Sequence, residues 1–221
     1  MSAIVGKKLG MSRVFDEDGT AIPVTVIEAP PNKITAIRRA GRDGYDAVQL
    51  AGNPVDEKKL SGGELGHLKK AGAPAMADLA EFREVDFTSG GSEEEGEGAG
   101  ESEERKVGDD VTVSDFEPGE PVKVSAVSVG KGFQGTIRRH GFHRGPVTHG
   151  SHNVRAPGSV GASADPSRVF PGQKMPGQMG ARRATQVGAQ VVEVDAEHNL
   201  LLIRGSVPGA RNATVEVRSV G

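Results

Sequence analysis

The sequence predicts a mainly β protein, in which a small antiparallel barrel or sandwich carries a short surface helix and a long, irregular, basic extension. Three observations support this fold class. Short runs rich in Val, Ile and Thr recur about every ten residues, with Asp- and Gly-containing turns between them. Hydrophobic residues make up only 35% of the chain, and 32 glycines with 13 prolines indicate much irregular structure. Residues 131–183 carry nine Lys or Arg residues against a single acid, Asp165.

The first β segments lie within residues 3–51. The runs SRVF, AIPVTVIEA, KITAIRR and YDAVQLA are separated by turn residues at 16–19 and 41–44, which predicts antiparallel strands. Ser61 followed by Glu64 is a capping-box pattern for a short helix over residues 65–70, which Gly72 and Pro74 would end. We expect this helix to pack on the surface of the β core.

An acidic insert interrupts the β pattern. It follows the run LAEFREVDF, which predicts another strand, and residues 93–104 contain seven glutamates and no large apolar residue. Charge repulsion and the lack of apolar surface predict that residues 88–106 are a disordered, solvated loop. A less favoured hypothesis is that this insert competes with polyanions for the basic extension.

The β pattern resumes after the insert. VTV at 111–113 and VKVSAVSVG at 122–130 predict strands, QVVEVDAEHNLLLIRGSV predicts a hairpin with its turn at 196–199, and ATVEVRSV predicts a last strand. The predicted organisation is a β-barrel core of residues 1–87, 107–130 and 187–221, the acidic insert 88–106, and the basic extension 131–186. Because the core brackets the extension, a rigid scaffold would hold both of its ends.

The composition of the extension indicates what it binds. Residues 131–183 hold ten glycines, five prolines and three aromatics, which is too little apolar surface to fold alone. Arginines recur along it, and the planar guanidinium pairs with phosphate oxygens in a bidentate way. The simplest interpretation is a strap that becomes ordered against a polyanion such as RNA.

The formal net charge of -3 hides this basic character. Residues 81–120 contain 15 acids against three bases, so the rest of the chain carries +9. The absence of cysteine excludes disulfides and thiolate metal sites. No apolar run is long enough for a signal peptide or a membrane helix, so we expect a soluble, unexported protein with no membrane contact.

Two motifs have the spacing of a dinucleotide site and of a zinc site, but the residues around them do not support either site. Gly130, Gly132 and Gly135 have the spacing G-x-G-x-x-G, but the dinucleotide site also needs a long helix and an acid about twenty residues on. The segment after Gly135 is TIRRH, which Gly141 ends, and no acid follows at the required distance. Nucleotide binding is therefore disfavoured.

Four histidines form two H-x-x-H pairs, a spacing that can hold zinc: His140, His143, His149 and His152. Glycine and proline between them disfavour a regular helix, and no nearby carboxylate would orient the rings. Histidines among arginines more often stack on bases or donate to phosphates. Since no G-x-S-x-G elbow or carboxylate pair is present either, we expect no catalytic residue, metal, cofactor or small-molecule substrate.

Several long motifs resemble one known family. GKGFQGTIRRHGF (130–142), THGS (148–151), RAPGSVGASADPSRVFPGQKMPGQMG (155–180) and NLLLIRGSVPG (199–209) closely resemble the bacterial form of the universal large-subunit ribosomal protein three. The N-terminal IVGKKLGMSRVFDEDGTAIPVTVIEA matches that family as well. The resemblance covers nearly the whole chain apart from the acidic insert.

The resemblance implies a β-barrel of the translation-protein type on the subunit surface, in cytoplasmic ribosomes. It also implies a loop that reaches through ribosomal RNA toward the peptidyl transferase centre, an early role in assembly near the 3′ domain of that RNA, and neighbouring large-subunit proteins as further partners. Some bacterial members carry a methylated glutamine before the T-H-G motif. Gly145 occupies the matching position here, so that modification is not expected.

The predicted RNA-binding side chains are the cationic and imidazole groups of the extension: Lys131, Arg138, Arg139, His140, His143, Arg144, His149, His152, Arg155, Arg168, Lys174, Arg182 and Arg183. They would bind RNA by shape and charge, with little direct reading of bases. Phe133, Phe142 and Phe170 could stack on unpaired bases, with packing on the barrel as an equal alternative for Phe133 and Phe170.

Two other functions are consistent with parts of the sequence. A free-standing RNA chaperone or polyanion-binding module would use the same basic extension outside the ribosome, and permanent residence in ribosomal subunits would argue against it. A nucleotide-dependent enzyme built on the glycines of residues 130–135 would require saturable nucleotide binding.

Overall fold

The computed structural model describes residues 2–83 and 105–220 and shows a mainly β protein, as the sequence predicts. The strands are β1 Ala3–Phe15, β2 Ala21–Glu28, β3 Asn32–Arg38, β4 Ala47–Pro54, β5 Met76–Arg83, β6 Asp110–Val111, β7 Pro121–Val127, β8 Phe133–Gln134, β9 Gly177–Gln178, β10 Arg183–Asp195, β11 Leu200–Arg204 and β12 Thr214–Ser219. The helices are α1 Ala40–Asp43, α2 Gly62–Lys70 and α3 Thr136–His140.

The chain divides into two compact units. The core unit comprises Met1–Val127 and Arg183–Gly221, and the extension unit comprises Ser128–Arg182. The chain leaves the core unit after Val127 and returns at Arg183, and these two residues are paired across the β7–β10 ladder. Both ends of the extension unit are therefore attached at one position of the core unit.

A closed antiparallel barrel forms the main part of the core unit. Its strand order is β1-β12-β7-β10-β11-β2. Alternating residues of these strands point inward and are buried, among them Ile4, Ile27, Val124, Leu201 and Ile203. This period-2 burial is the reason that runs rich in Val and Ile mark the barrel strands in the sequence.

A second sheet, with the order β5-β4-β3-β6, is separate from the barrel. The sequence patterns predict these strands as part of the barrel, and the structure corrects that prediction. On β1, Ile4 belongs to the barrel interior, whereas Ala3 and Val5 pack with Ile34 and Leu50 of the second sheet. Opposite faces of one barrel strand thus serve two hydrophobic cores, which explains why three consecutive residues are fully buried.

The predicted surface helix is confirmed as α2. Ser61 is its N-cap, and the Ser61 side chain accepts from the Glu64 N–H while the Glu64 carboxylate accepts from the Ser61 N–H. Hydrogen bonds from Ser61 hold the pKa of Glu64 below its usual range, with the backbone N–H as the largest cause. Leu68 is the buried residue of the helix and packs with Met76 of β5, so the helix covers one part of the second sheet.

The remaining predictions for the core unit are mostly confirmed, with local corrections. The 196–199 turn joins β10 to β11 as predicted. The 41–44 turn is part of the short helix α1 and ends at Gly44 in the left-handed conformation. The predicted strand at 111–113 is shorter, because a 3₁₀ turn begins at Val113, and the strand predicted to reach residue 130 ends at Val127. The prediction of disorder concerns residues 88–106, of which 88–104 lie outside the described residues.

Candidate nucleic-acid interface

The extension unit begins and ends in a two-stranded stem. The Ser128 N–H donates to the Arg182 carbonyl at 2.9 Å, and the Ala181 N–H donates back to the Ser128 carbonyl at 3.0 Å. Further along, the Lys131 N–H donates to the Met179 carbonyl at 2.9 Å, and the short strands β8 and β9 pair. Backbone hydrogen bonds thus hold this part of the chain together without a hydrophobic core.

Gly180 lets the two halves of the stem approach closely. Its φ of +70° is in the left-handed region, and a Cβ built on it would lie 2.1 Å from the carbonyl oxygen of Val129. No other residue fits both the conformation and the space. The last glycine of the G-Q-M-G run, Gly180, is therefore required by the close approach of the chain's own backbone.

A short helix is tied to the returning half of the chain. The Arg139 guanidinium donates to the carbonyl of Met175 at 2.6 Å, and the His140 Nε2 lies 3.0 Å from the same oxygen. Both residues belong to α3, which ends at Gly141 in the left-handed conformation. Arg139 and His140 are half-buried by these contacts and help to position the chain.

A second close approach lies further out, around residues 145–154. The Gly145 N–H donates to the Val154 carbonyl at 3.0 Å, and a Cβ on Gly145 would lie 1.9 Å from the carbonyl oxygen of Asn153. The loop between them contains the T-H-G-S motif, with His149 at a positive φ of 60°. A glutamine could not occupy position 145 in this backbone conformation without moving residue 153.

The extension unit lacks a hydrophobic core of its own. Of residues 128–182, all of which the structure describes, only Thr136 is buried, and Phe133 is 74% exposed. The same range contains eight Lys or Arg residues and one acid, Asp165, and no ion pair forms within it. A cationic surface without internal neutralisation attracts polyanions.

The structure places the predicted RNA-binding residues in three groups. Eight have exposed side chains with no internal partner among the described residues: Lys131, His143, Arg144, His149, His152, Arg155, Lys174 and Arg182. Arg138 reaches Gln134 only at 3.5 Å, and Arg168 lies 5.8 Å above the ring of Phe170, which is 56% exposed. Arg139 and His140 bind the Met175 carbonyl as described.

Arg183 differs from the other predicted residues because it lies on β10 of the core unit. Its guanidinium forms two hydrogen bonds to the carboxylate of Glu216 on β12, and these bonds raise the pKa of Arg183. The charge of Arg183 is therefore largely satisfied within the barrel.

The motifs for other chemistry lack the necessary geometry. The helix that follows Gly135 has five residues, too few to direct a helix N-terminus at a pyrophosphate. In the described ranges, no group of three or more His, Asp or Glu side chains is arranged to hold a metal ion. None of the described helices is long and apolar enough to cross a membrane.

The fold defines a class of β proteins in which a long, cationic insertion without a core of its own interrupts a closed barrel. Residues 79–200 match the family described as Ribosomal protein L3. The chain belongs to this family.

Relatives named "Large ribosomal subunit protein uL3" share this similarity over almost their whole length. The protein of Synechococcus sp. strain RCC307 is 46% identical over 215 residues, which cover 97% of this chain and 93% of the relative. That of Synechococcus elongatus strain ATCC 33912 is 47% identical, with the same coverage of both chains. That of Prochlorococcus marinus strain MIT 9515 is 43% identical, covering 97% of this chain and 92% of its own.

The sequence alone does not reveal the two close approaches of the backbone that shape the extension. Gly180 approaches the backbone of Val129, and Gly145 approaches that of Asn153. Two glycine-rich runs, G-K-G at residues 130–132 and G-Q-M-G at residues 177–180, lie near the ends of the extension. Nothing in the sequence shows that these two runs pair with each other, as they do in the stem.

Proposed function

We propose that this protein is a structural constituent of the large ribosomal subunit and binds large-subunit ribosomal RNA through the extension unit. The observation that supports this most directly is the set of eight exposed cationic or imidazole side chains that have no partner among the described residues, on a unit without its own core. Such a surface gains its order and its charge balance from phosphates. The uL3 name of the relatives agrees with this function.

The finer part of the proposal concerns where the extension binds. The protein binds near the 3′ domain of the large-subunit RNA, acts early in assembly, and directs the loop of residues 140–155 toward the peptidyl transferase centre. The narrow stem supports this, because two paired strands lie only about 5 Å apart and can pass between RNA helices. The proposed location of the extension in the subunit is the one that its resemblance to the family implies.

The chemistry of the proposed contacts follows from the residue types. Arg144 and Arg155 pair with phosphate oxygens, Lys174 and Arg182 neutralise further phosphates, and the exposed ring of Phe133 offers a stacking surface. The protein forms a ribonucleoprotein with RNA and neighbouring large-subunit proteins in cytoplasmic ribosomes. It supplies no catalytic residue to translation.

Sedimentation of a cell extract tests the proposal. The extract is separated on gradients at low and at high salt, and the protein is detected in each fraction. Phosphate contacts on a surface weaken steeply with salt, whereas a loop threaded between RNA helices is retained because it must be withdrawn before release. We expect the protein to stay with large subunits at high salt. Release to the top of the gradient would instead identify a free-standing RNA chaperone or polyanion-binding module.

A further inference from the structure

A cationic cleft lies within the core unit, on the outer face of the barrel. It has a volume of about 420 Å³ and lies between the edge strand β5 and the strands β7, β10 and β12. The cleft contains four cationic side chains: Arg83, Lys123, Arg183 and Arg218. None of these residues except Arg183 is among the residues assigned to RNA above.

Two of these cations face each other on neighbouring strands. Lys123 on β7 and Arg218 on β12 are Cα partners in the ladder, so their side chains emerge on the same side of the sheet. Like charges directly opposite each other destabilise a strand pair. Within residues 2–83 and 105–220, neither side chain has a carboxylate at ion-pair distance. Arg218 reaches only the Arg83 carbonyl, at 3.5 Å.

The two acids of the cleft are committed to other partners. Glu216 accepts two hydrogen bonds from the Arg183 guanidinium. The Glu81 side chain raises the pKa of Tyr45 and lies 3.9 Å from Nε of Arg38. The cleft therefore keeps an excess of positive charge.

The remaining groups of the cleft suit an anion with several oxygen acceptors. Arg83 stacks on the ring of Tyr45 at 4.3 Å, which fixes its guanidinium at the rim. The hydroxyls of Ser125 and Thr185 are 2.8 Å apart and bond to each other, so one of them can still donate to a ligand. Arginine forks, a lysine and hydroxyls are the groups that proteins use for backbone phosphates.

We propose that this cleft binds backbone phosphates of ribosomal RNA as a second contact, on the barrel and separate from the extension. This inference rests on the proposed function, because it names the same RNA as the ligand. A bound phosphate offsets the repulsion between Lys123 and Arg218, to which residues 2–83 and 105–220 offer no carboxylate at ion-pair distance. The barrel is then an RNA-binding surface as well as a support for the extension.

The salt dependence of RNA binding tests this inference. The full chain is titrated with a transcript of the 3′ domain of large-subunit RNA over a range of salt concentrations. The double variant Lys123→Gln/Arg218→Gln is compared with the control Lys58→Gln/Lys59→Gln, which removes two exposed lysines outside the cleft. Each lost phosphate contact reduces the slope of log K against log salt by about 0.7 to 0.9, so we expect a reduction of about 1.4 to 1.8 for the cleft variant only.

Further variants separate the alternatives. Lys123→Arg/Arg218→Lys keeps both charges and should keep the wild-type slope, and urea unfolding checks that each barrel is intact. A cleft variant with the slope of the control overturns the inference. The inference is also overturned if deleting residues 90–104 from the wild-type chain steepens the slope by the same amount. The acidic insert would then be the partner of Lys123 and Arg218. Failure of the wild-type chain to bind the transcript would instead refute the proposed function.

Discussion

Replacing Gly180 with alanine should open the stem of the extension unit. At a φ of +70°, an L residue costs about 1 to 2 kcal/mol. The new Cβ would also lie 2.1 Å from the Val129 carbonyl oxygen, so the two backbones must separate. That movement weakens the neighbouring stem hydrogen bonds, such as Lys131 to Met179, each worth about 0.5 to 1.5 kcal/mol. The expected total is about 2 to 4 kcal/mol.

Amide hydrogen exchange measures this opening residue by residue. Since about 1.4 kcal/mol corresponds to a factor of ten, exchange of the stem amides of Lys131 and Met179 should accelerate by roughly 30- to 1,000-fold. Amides of the barrel should not change, because its core is formed by other residues. The variant should also be retained less well by large subunits at high salt.

Gly172→Ala is the matched control. Gly172 has a φ of +83°, but a Cβ there meets no atom within 4 Å, so the substitution carries the conformational cost without the steric clash. It lies outside the stem strands, and the stem amides should keep their wild-type exchange rates. If Gly180→Ala and Gly172→Ala have the same effect on these amides, the close approach of the two backbones does not hold the stem together.

Four further predictions concern the charged loop and the core unit. Arg144→Glu and Arg155→Glu should weaken subunit assembly, measured on gradients, without a change in urea unfolding; an equal loss of stability would contradict this separation of roles. Ser61→Ala should cost about 1 kcal/mol in urea unfolding through the lost cap. Because the pKa of Glu64 is lowered in the folded state, the Glu64 carboxylate stabilises the fold at pH values above its unfolded pKa. This stabilisation is lost as the pH falls through the folded pKa. Glu64→Gln and the wild type should therefore converge in stability in acid. Asn32 is fully buried and bonds to both backbone polar groups of one β1 residue, so Asn32→Ala should cost about 2 to 4 kcal/mol; a urea midpoint within error of wild type would refute this.

Local elements of the fold could be predicted because their signals lie close together in the sequence. The capping box of α2 needs only Ser61 and Glu64, three residues apart. The hairpin between β10 and β11 is marked by polar turn residues between two apolar runs, and Asn199 adopts the positive φ that asparagine tolerates. In both cases the residue type and the local conformation agree.

The division of strands between the barrel and the second sheet could not be predicted in this way. The run Ala3–Val5 is fully buried because neighbouring residues face two different cores. Periodicity shows that a segment is a strand, but it does not show how many layers lie beside it. That information resides in pairings between residues far apart in the chain.

The candidate site shows the same limit. Composition located the cationic residues in the extension, because charge is a property of each side chain. The contact of Arg139 with Met175 was not foreseen, since its acceptor is a backbone carbonyl 36 residues away and any residue type supplies one. The cleft was missed because Lys123 and Arg218 belong to strands at distant positions of the sequence.

The strand order of the second sheet determines how much chain is needed to join its two edges. β5 and β6 lie at opposite edges, three strand spacings apart, which is about 14 Å. In the strand ladders, Arg83 pairs with Ala47, and Ala47 pairs with Arg38. The Gly108 N–H bonds to the carbonyl of Ile34, which lies about 13 Å from Arg38 along β3. The straight distance from Arg83 to Gly108 is then about 19 Å.

About six extended residues cover that distance, at roughly 3.3 Å each. The sequence supplies 24 residues between Arg83 and Gly108. The acidic insert is therefore longer than the connection requires, so a much shorter linker would still join the two edges of the sheet.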